Sequence, residues 1–253
     1  MKRTFDDALR ALASRLYGHF DCATDIIAFH EHRFLYYALP KVANSSIKLT
    51  LGRLIPEVAV ALDTWNLDAI ATPFSDRTLR ADLRRKRVLL CKHQVKPYAD
   101  YASFAFVRNP WDRLVSCYTQ KIADRDFSEG PQTRATARVL DAAGFFKPDL
   151  TFTEFARAVA AIPDADANRH FRSQHVFLTD RSGTLLVERI ARFENLAEEF
   201  ARLMDLVGLP QVRLPHLKKT ARRDYREYYD DETAAVTAER YRRDIELFGY
   251  KFG

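Results

Sequence analysis

Cysteine is scarce in this chain, and the spacings that make cysteine informative are missing. The three cysteines, Cys22, Cys91 and Cys117, form no CxxC or CxxxC group. An odd count without a pairing pattern points to a reducing compartment and away from a zinc site. Cys91 and Cys117 fall within apolar patterns and read as buried thiols. Long hydrophobic runs are also lacking. No stretch approaches the roughly 18 apolar residues of a spanning helix, so none is expected. The start, MKRTFDDALRALASRL, carries Asp6, Asp7, Arg10 and Arg15 where a signal peptide would need an uncharged core. A soluble, cytoplasmic protein is the expectation. No GxxxxGK(S/T) pattern occurs, which removes the usual ATP-binding loop. No acidic residue ends an early apolar run where a magnesium-holding aspartate would stand, so no metal is expected. Repeats, low-complexity tracts and long linkers are missing as well, and a single domain over residues 1–253 is predicted.

What is present can fill a core. The chain has 253 residues, 47% of them hydrophobic, and 40 Lys and Arg against 34 Asp and Glu, a formal charge of +6. Such an excess fits an anionic ligand or polymer and equally an uneventful surface. The organising stretch is Phe34–Lys48, FLYYALPKVANSSIK. An apolar run stops at Pro40, a small polar loop follows, and a helical pattern begins near Ser46 with Ile47, Leu51 and Leu54. Strand, tight loop, helix is the arrangement that aims free backbone N–H groups at an anion. The loop supplies Lys41, Asn44, Ser45 and Ser46, and Lys48 follows in the start of the helix.

Two more apolar runs end in polar or basic residues. Val88–Cys91 leads to Lys92, His93 and Gln94, and Tyr101–Val107 leads to Arg108, Asn109 and Pro110. Asn109 is placed as an N-cap and Pro110 as the first helical residue of a pattern through Ile122. Repeated in this way, the units predict an α/β fold with a central, mostly parallel sheet flanked by helices. Ligands in such folds bind beyond the carboxyl ends of the strands, the edge assigned to Lys41, His93 and Arg108. Residues 123–148 read as a helical insertion or a flap. Further along, Thr151 with Glu154 and Asn195 with Glu198 read as capping boxes. Leu185–Ile190 reads as a fourth buried strand. A last helix from about Asp231 is expected to turn Val236, Tyr241, Ile245 and Phe248 inward.

YYALPKVANSSIK, then FAFVRNPWDRLVSCY, VERIARFENLAEEF and the aromatic C-terminal segments Tyr225–Tyr229 and Asp244–Tyr250 together resemble the carbohydrate sulfotransferases of the second sulfotransferase family. The resemblance runs from about residue 34 to 250. It implies a P-loop-like three-layer fold that uses 3′-phosphoadenosine 5′-phosphosulfate (PAPS), sulfates a hydroxyl of a carbohydrate acceptor and releases adenosine 3′,5′-bisphosphate. By position, it implies that Lys41, Val42, Ala43, Asn44, Ser45, Ser46 and Lys48 grip the 5′-phosphosulfate. Arg108 and Ser116 are implied for the 3′-phosphate, with Arg113 a weaker candidate that a structural partner would draw away. Adenine contacts are implied after Ile190 and near Lys218, where the family pattern often has Asn.

The residues themselves leave some choices open. Lys41 suits stabilisation of charge that grows on a leaving phosphate. Arg108 suits multidentate phosphate recognition, and pairing with Asp112 or Glu194 is the plainer account of it. A base near neutrality is needed for the acceptor hydroxyl. His93 at the sheet edge is the first choice and His170, in RHFRSQH, its rival, whereas His175 reads as structural. Arg169, Arg172, Arg222 and Arg223 are candidates for an anionic sugar. Two other functions compete: a kinase-like phosphotransferase using Mg-ATP, and a basic nucleic-acid-binding module. The second has no RNP-type or GxxG motif to carry it, and nucleic acid is not an expected partner.

Overall fold

The computed structural model describes residues 25–64, 74, 76–123, 150–215 and 222–253. Its strands are β1 (Asp25–Phe29), β2 (Phe34–Ala38), β3 (Leu89–Leu90), β4 (Ala102–Val107) and β5 (Arg189–Arg192). The helices used below are α1 (Asn44–Gly52), α2 (Pro56–Thr64), α3 (Arg77–Arg85), α4 (Pro110–Tyr118), α5 (Phe152–Ala161), α6 (Leu196–Leu206), α7 (Asp231–Arg240) and α8 (Arg242–Phe248). The chain divides into two compact units. One comprises the described parts of Met1–Leu39, Ala43–Val107 and Phe177–Leu217, the other those of Pro40–Val42, Arg108–Val176 and Lys218–Gly253. Residues 6–17, where the spacing of Leu9, Leu12 and Leu16 predicts a helix, the insertion expected over 123–148 beyond Ala123, and Lys218 lie outside the described residues. Among those described, no helix is long and apolar enough to cross a membrane.

The first unit is built on a five-stranded sheet of order β3-β1-β2-β4-β5. β2, β4 and β5 are mutually parallel, and β1 is antiparallel to both β2 and β3. β3 therefore runs the same way as β2, and four of the five strands end on one edge. The mixed α/β class and mostly parallel sheet agree with the sequence. β1 does not: Asp25–Phe29 was not anticipated as a strand. It forms a hairpin with β2 through the turn His30–Arg33, where Arg33 takes a left-handed conformation (φ 51°). Every residue of β1 and β2 is buried, as strands covered on both faces must be. Phe29 stacks on Phe34 at 4.3 Å, and Tyr36 on Phe104 at 5.3 Å.

The strand expected over Leu185–Ile190 is displaced toward the C-terminus and is largely exposed. Its register pairs Phe104 with Arg189 and Val107 with Arg192. The apolar residues ahead of it serve the approach instead. Tyr37 Oη donates to Leu186 O (2.9 Å), Glu188 N donates to Ser103 Oγ (2.9 Å), and Leu185 makes an isolated bridge with Thr179. α6 buries Phe200, Leu203 and Met204, but Asn195 makes no side-chain cap. A 3-10 turn over Phe193–Asn195 precedes the helix, and Leu196 N already donates to Phe193 O.

The second unit is helical. Asn109 Oδ1 accepts from Trp111 N at 3.1 Å, capping α4 as predicted. The Thr151–Glu154 capping box opens α5 with both reciprocal bonds present. Leu114, Val115, Phe155, Val159, Phe171 and Tyr241 form its core. The expected last helix is two, broken at Tyr241 (φ −112°, ψ 20°), whose hydroxyl donates to Phe171 O at 2.6 Å. Its buried stripe is Thr233, Thr237, Tyr241, Asp244 and Phe248, so Tyr241 and Phe248 turn inward as expected while Val236 and Ile245 are only half-buried. Asp230 and Thr233 box the start of α7, and Gly249 (φ 63°) ends α8.

Candidate active site

In the first unit, the predicted anion loop opens α1 in an unusual way. Ala43 is left-handed (φ 57°, ψ 23°), and its carbonyl accepts the first helical bond, from Ile47 N at 3.1 Å. No side chain caps this helix and no acidic residue occupies its first turn. Helix starts carry amides that need an acceptor and the positive end of the dipole. The usual device is a Ser, Thr, Asp or Asn at the N-cap. Here Asn44, Ser45 and Ser46 stand just after that position, the first two half-buried and Ser46 buried. Tyr36 Oη donates to Asn44 Oδ1 at 3.1 Å, so the carbonyl end of that amide is turned to the tyrosine and its NH2 end is left for an acceptor.

Lys48 is differently placed. Its Nζ lies 3.2 Å from Asp25 Oδ2, with side-chain exposures of 7% and 5%, and 5.2 Å from the centre of the Phe74 ring. Asp25 also receives Arg80 through Nη2 at 2.8 Å and Nη1 at 3.2 Å, and Nη1 donates to Phe74 O at 2.8 Å. Burial pulls the Arg80 guanidinium pKa down, but the hydrogen bonds and charge of Asp25 outweigh it and hold it above its ordinary value. The buried cluster carries two positive charges on one carboxylate. His93 is exposed in the 3-10 turn Lys92–Gln94 that follows β3. Because β3 runs with β2 and β4, His93 stands at the carboxyl edge of the sheet, where the sequence put it. The turn is pinned by Cys91 N donating to Gln94 Oε1 (2.9 Å) and by buried Lys92, whose Nζ donates to Thr179 O (2.8 Å).

In the second unit Lys41 and Arg108 meet. Lys41 is left-handed (φ 73°), an arrangement that costs a non-glycine residue about 1–2 kcal/mol. Its carbonyl accepts from Arg108 Nη1 at 3.0 Å, and its Nζ donates to Gln120 Oε1 at 2.5 Å. Arg108 Nε donates to Asp112 Oδ2 at 2.7 Å, and Arg222 Nη2 donates to the other oxygen of Asp112. Of the two accounts of Arg108, the pairing with Asp112 is present, and Arg222 shares that carboxylate. Arg222 Nη1 is buried without a hydrogen-bond partner in this structure. Ser116, half-buried, lies one turn beyond Asp112 on the same face of α4.

Arg113 is a brace rather than a ligand. It is fully buried and donates to Pro40 O (3.2 Å), Arg172 O (2.8 Å) and Arg169 O (3.4 Å), and burial lowers its pKa. Its structural partners are three backbone carbonyls. Arg172, a candidate for sugar binding, is buried and donates to Ala167 O at 2.7 Å. Arg223 lies over the Tyr228 ring at 4.6 Å. His170 is half-buried, with Nδ1 2.7 Å from Asn168 Oδ1. A carbonyl oxygen there calls for the proton on Nδ1. His175 Nδ1 lies 2.7 Å from the buried Asp244 carboxylate, the structural role expected of it. Sequence reasoning missed Arg80, Gln120, Gln174 and Asp244. Their partners lie far along the chain, so no local spacing signals them.

Comparison with known proteins gives this chemistry a family. The profile described as "Sulfotransferase family" matches residues 24–251. Carbohydrate sulfotransferase 14 of Danio rerio is 27% identical over 241 residues, covering 89% of this chain and 62% of the relative. Its Homo sapiens and Mus musculus counterparts are each 26% identical over 200 residues, covering 78% of this chain and 49% of theirs. The chain therefore spans between about half and three-fifths of these relatives' length. No solved structure matches it. With the family profile extending over nearly every residue from β1 to the end of the chain, this protein belongs to the sulfotransferase family.

Proposed function

We propose that this chain is a carbohydrate O-sulfotransferase that takes PAPS as donor, on a P-loop-like fold. The observation that carries the reading is the start of α1, an uncapped helix entered through left-handed Ala43 and followed by Asn44, Ser45 and Ser46. That start needs an anion more than it needs a particular sequence. Family membership supplies the kind of anion, and the relatives named carbohydrate sulfotransferase supply the acceptor class. The donor brings an activated sulfuryl group. The N–H groups of the first turn of α1 are assigned the charge growing on the 5′-phosphate as the bond from sulfur to phosphate oxygen breaks, and Lys41, two residues before Ala43 in the sequence, is assigned to it by the resemblance. Gln120 is one partner of Lys41 Nζ in this structure, and a phosphate oxygen is a stronger acceptor than an amide because charge-assisted bonds are roughly twice as strong. Arg108, with Ser116, takes the 3′-phosphate.

The acceptor hydroxyl must lose its proton as its oxygen attacks sulfur, and His93 is assigned as that base. Its place just past β3 and its exposure support this. One observation favours His170 as the second reading: the Asn168 contact that orients its ring. A thermal-shift comparison tests the function. Stabilisation by adenosine 3′,5′-bisphosphate and not by Mg-ATP is expected. The reverse pattern would overturn the reading in favour of a kinase-like enzyme.

A further inference from the structure

Arg108 stands at a break. β4 ends at Val107 and α4 is capped by Asn109, so neither a ladder nor a helix pairs its backbone. Both of its main-chain groups are taken by one side chain. Gln174 Oε1 accepts from Arg108 N at 2.9 Å, and Gln174 Nε2 donates to Arg108 O at 2.8 Å. The amide of Gln174 thus acts as a short artificial strand, and it is completely buried. Gln174 is fixed in turn from α8. Its N–H donates to Asp244 Oδ2 at 2.6 Å, while Asp244 Oδ1 accepts from His175 N at 2.8 Å and lies 2.7 Å from His175 Nδ1. Asp244 is also completely buried. An ionised carboxylate is an expensive thing to hide unless its oxygens are filled, and here backbone and imidazole N–H groups fill them.

We propose that Gln174 and Asp244 are positioning residues for the donor site: they set the direction in which Arg108 leaves the backbone, and through it the preference for a 3′-phosphate. This rests on the assignment of Arg108 to the 3′-phosphate. A long side chain aimed from an unpaired backbone would sweep several orientations. Pairing both main-chain groups leaves the Cα–Cβ direction single, and a guanidinium rewards a phosphate only when its fork is aimed. The segment holding Gln174 and the helix holding Asp244 thereby gain a role in nucleotide selection without touching a nucleotide.

The test compares two ligands that differ by one phosphate. Dissociation constants for adenosine 3′,5′-bisphosphate and adenosine 5′-monophosphate are measured by calorimetry on the full chain. Wild type is expected to prefer the bisphosphate. Gln174→Met keeps the length and loses both bonds. It is expected to weaken bisphosphate binding about tenfold, the scale of one well-aimed hydrogen bond to a charged group, with monophosphate binding unchanged. Asp244→Asn, a near-isosteric change that also serves if Gln174→Met does not fold, is expected to move the ratio in the same direction. A folded variant with the wild-type ratio overturns the positioning role while leaving the function intact. Loss of affinity for both ligands alike shows general damage and overturns it too. A wild type with no preference for the 3′-phosphate overturns the Arg108 assignment and this inference together.

Discussion

Replacing Asp25 by Asn should destabilise the first unit by about 3–5 kcal/mol, the usual cost of breaking a buried ion pair from one side. The magnitude follows from the geometry. Lys48 Nζ sits 3.2 Å from the carboxylate with both side chains under a tenth exposed. A pair at that distance is worth about 5 kcal/mol of Coulomb energy at an effective dielectric of roughly 20. Desolvation of the two groups, already incurred, offsets part of this in the wild type and is not refunded when one partner goes. Arg80 adds less, because its side chain is a quarter exposed and solvent screens it. Equilibrium urea unfolding of wild type and Asp25→Asn at two salt concentrations measures the loss. A buried pair predicts a loss nearly insensitive to salt. Asp25→Asn combined with Lys48→Met should recover part of it, since an apolar side chain no longer asks for a charge. A loss under about 1 kcal/mol in the single variant would refute the reasoning and make Lys48 a surface-like cation, free to serve as a phosphate ligand as the sequence suggested.

Lys41→Ala should abolish sulfuryl transfer and weaken binding of adenosine 3′,5′-bisphosphate, read by a turnover assay beside calorimetry; full turnover would remove Lys41 from the transition state. His93→Ala should lose turnover while bisphosphate binding stays nearly intact, and normal activity would pass the role of base to His170. Asp164 gives a pH prediction. Burial alone would raise its carboxyl pKa, but Arg240 at 2.7 Å and the bonds from Ser173 outweigh it and hold it below the ordinary value. The pKa being depressed in the folded state, this stability is fully present above the unfolded value near 4 and is lost as pH falls through the lower folded value. Asp164→Asn should therefore lower stability at neutral pH and flatten its fall in acid. Parallel acid-unfolding curves for the two proteins would contradict it.

Local chemistry was the readable part of the fold. The Thr151–Glu154 box and the Asn109–Pro110 start are decided within four residues, and both are formed as the sequence indicates. Asn195 with Glu198 has the same spelling, but the turn over Phe193–Asn195 reaches the first helical amide before the side chain does. One oversight accounts for two surprises. Asp25–Phe29 is short and sits before a polar turn, so it did not stand out as a strand. Without it Lys48 had no visible carboxylate and read as a ligand. The positions of Lys41, His93 and Arg108 shortly after the ends of β2, β3 and β4 were legible because each stands close behind an apolar run. Gln174 and Asp244 were not, because an uncharged amide and a carboxylate on a helix mean little until tertiary packing brings them to the backbone of Arg108.

The reversed direction of β1 also bears on how the molecule comes into being. Parallel pairing of β2 with β4 must bring together residues as distant as Phe34 and Ala102, whereas β1 and β2 meet across a turn of His30–Arg33. Closing so short a hairpin takes about 1–10 μs, and long-range pairings wait on a larger loss of chain entropy. The anion loop is attached to the end of β2, so it hangs from the part of the sheet expected to assemble first. Pulse-labelling hydrogen exchange should find the amides of Ile27 and Tyr36 protected before those of Ala105 and Ile190, with the launching strand of the donor site in place while the remainder of the sheet is still being recruited.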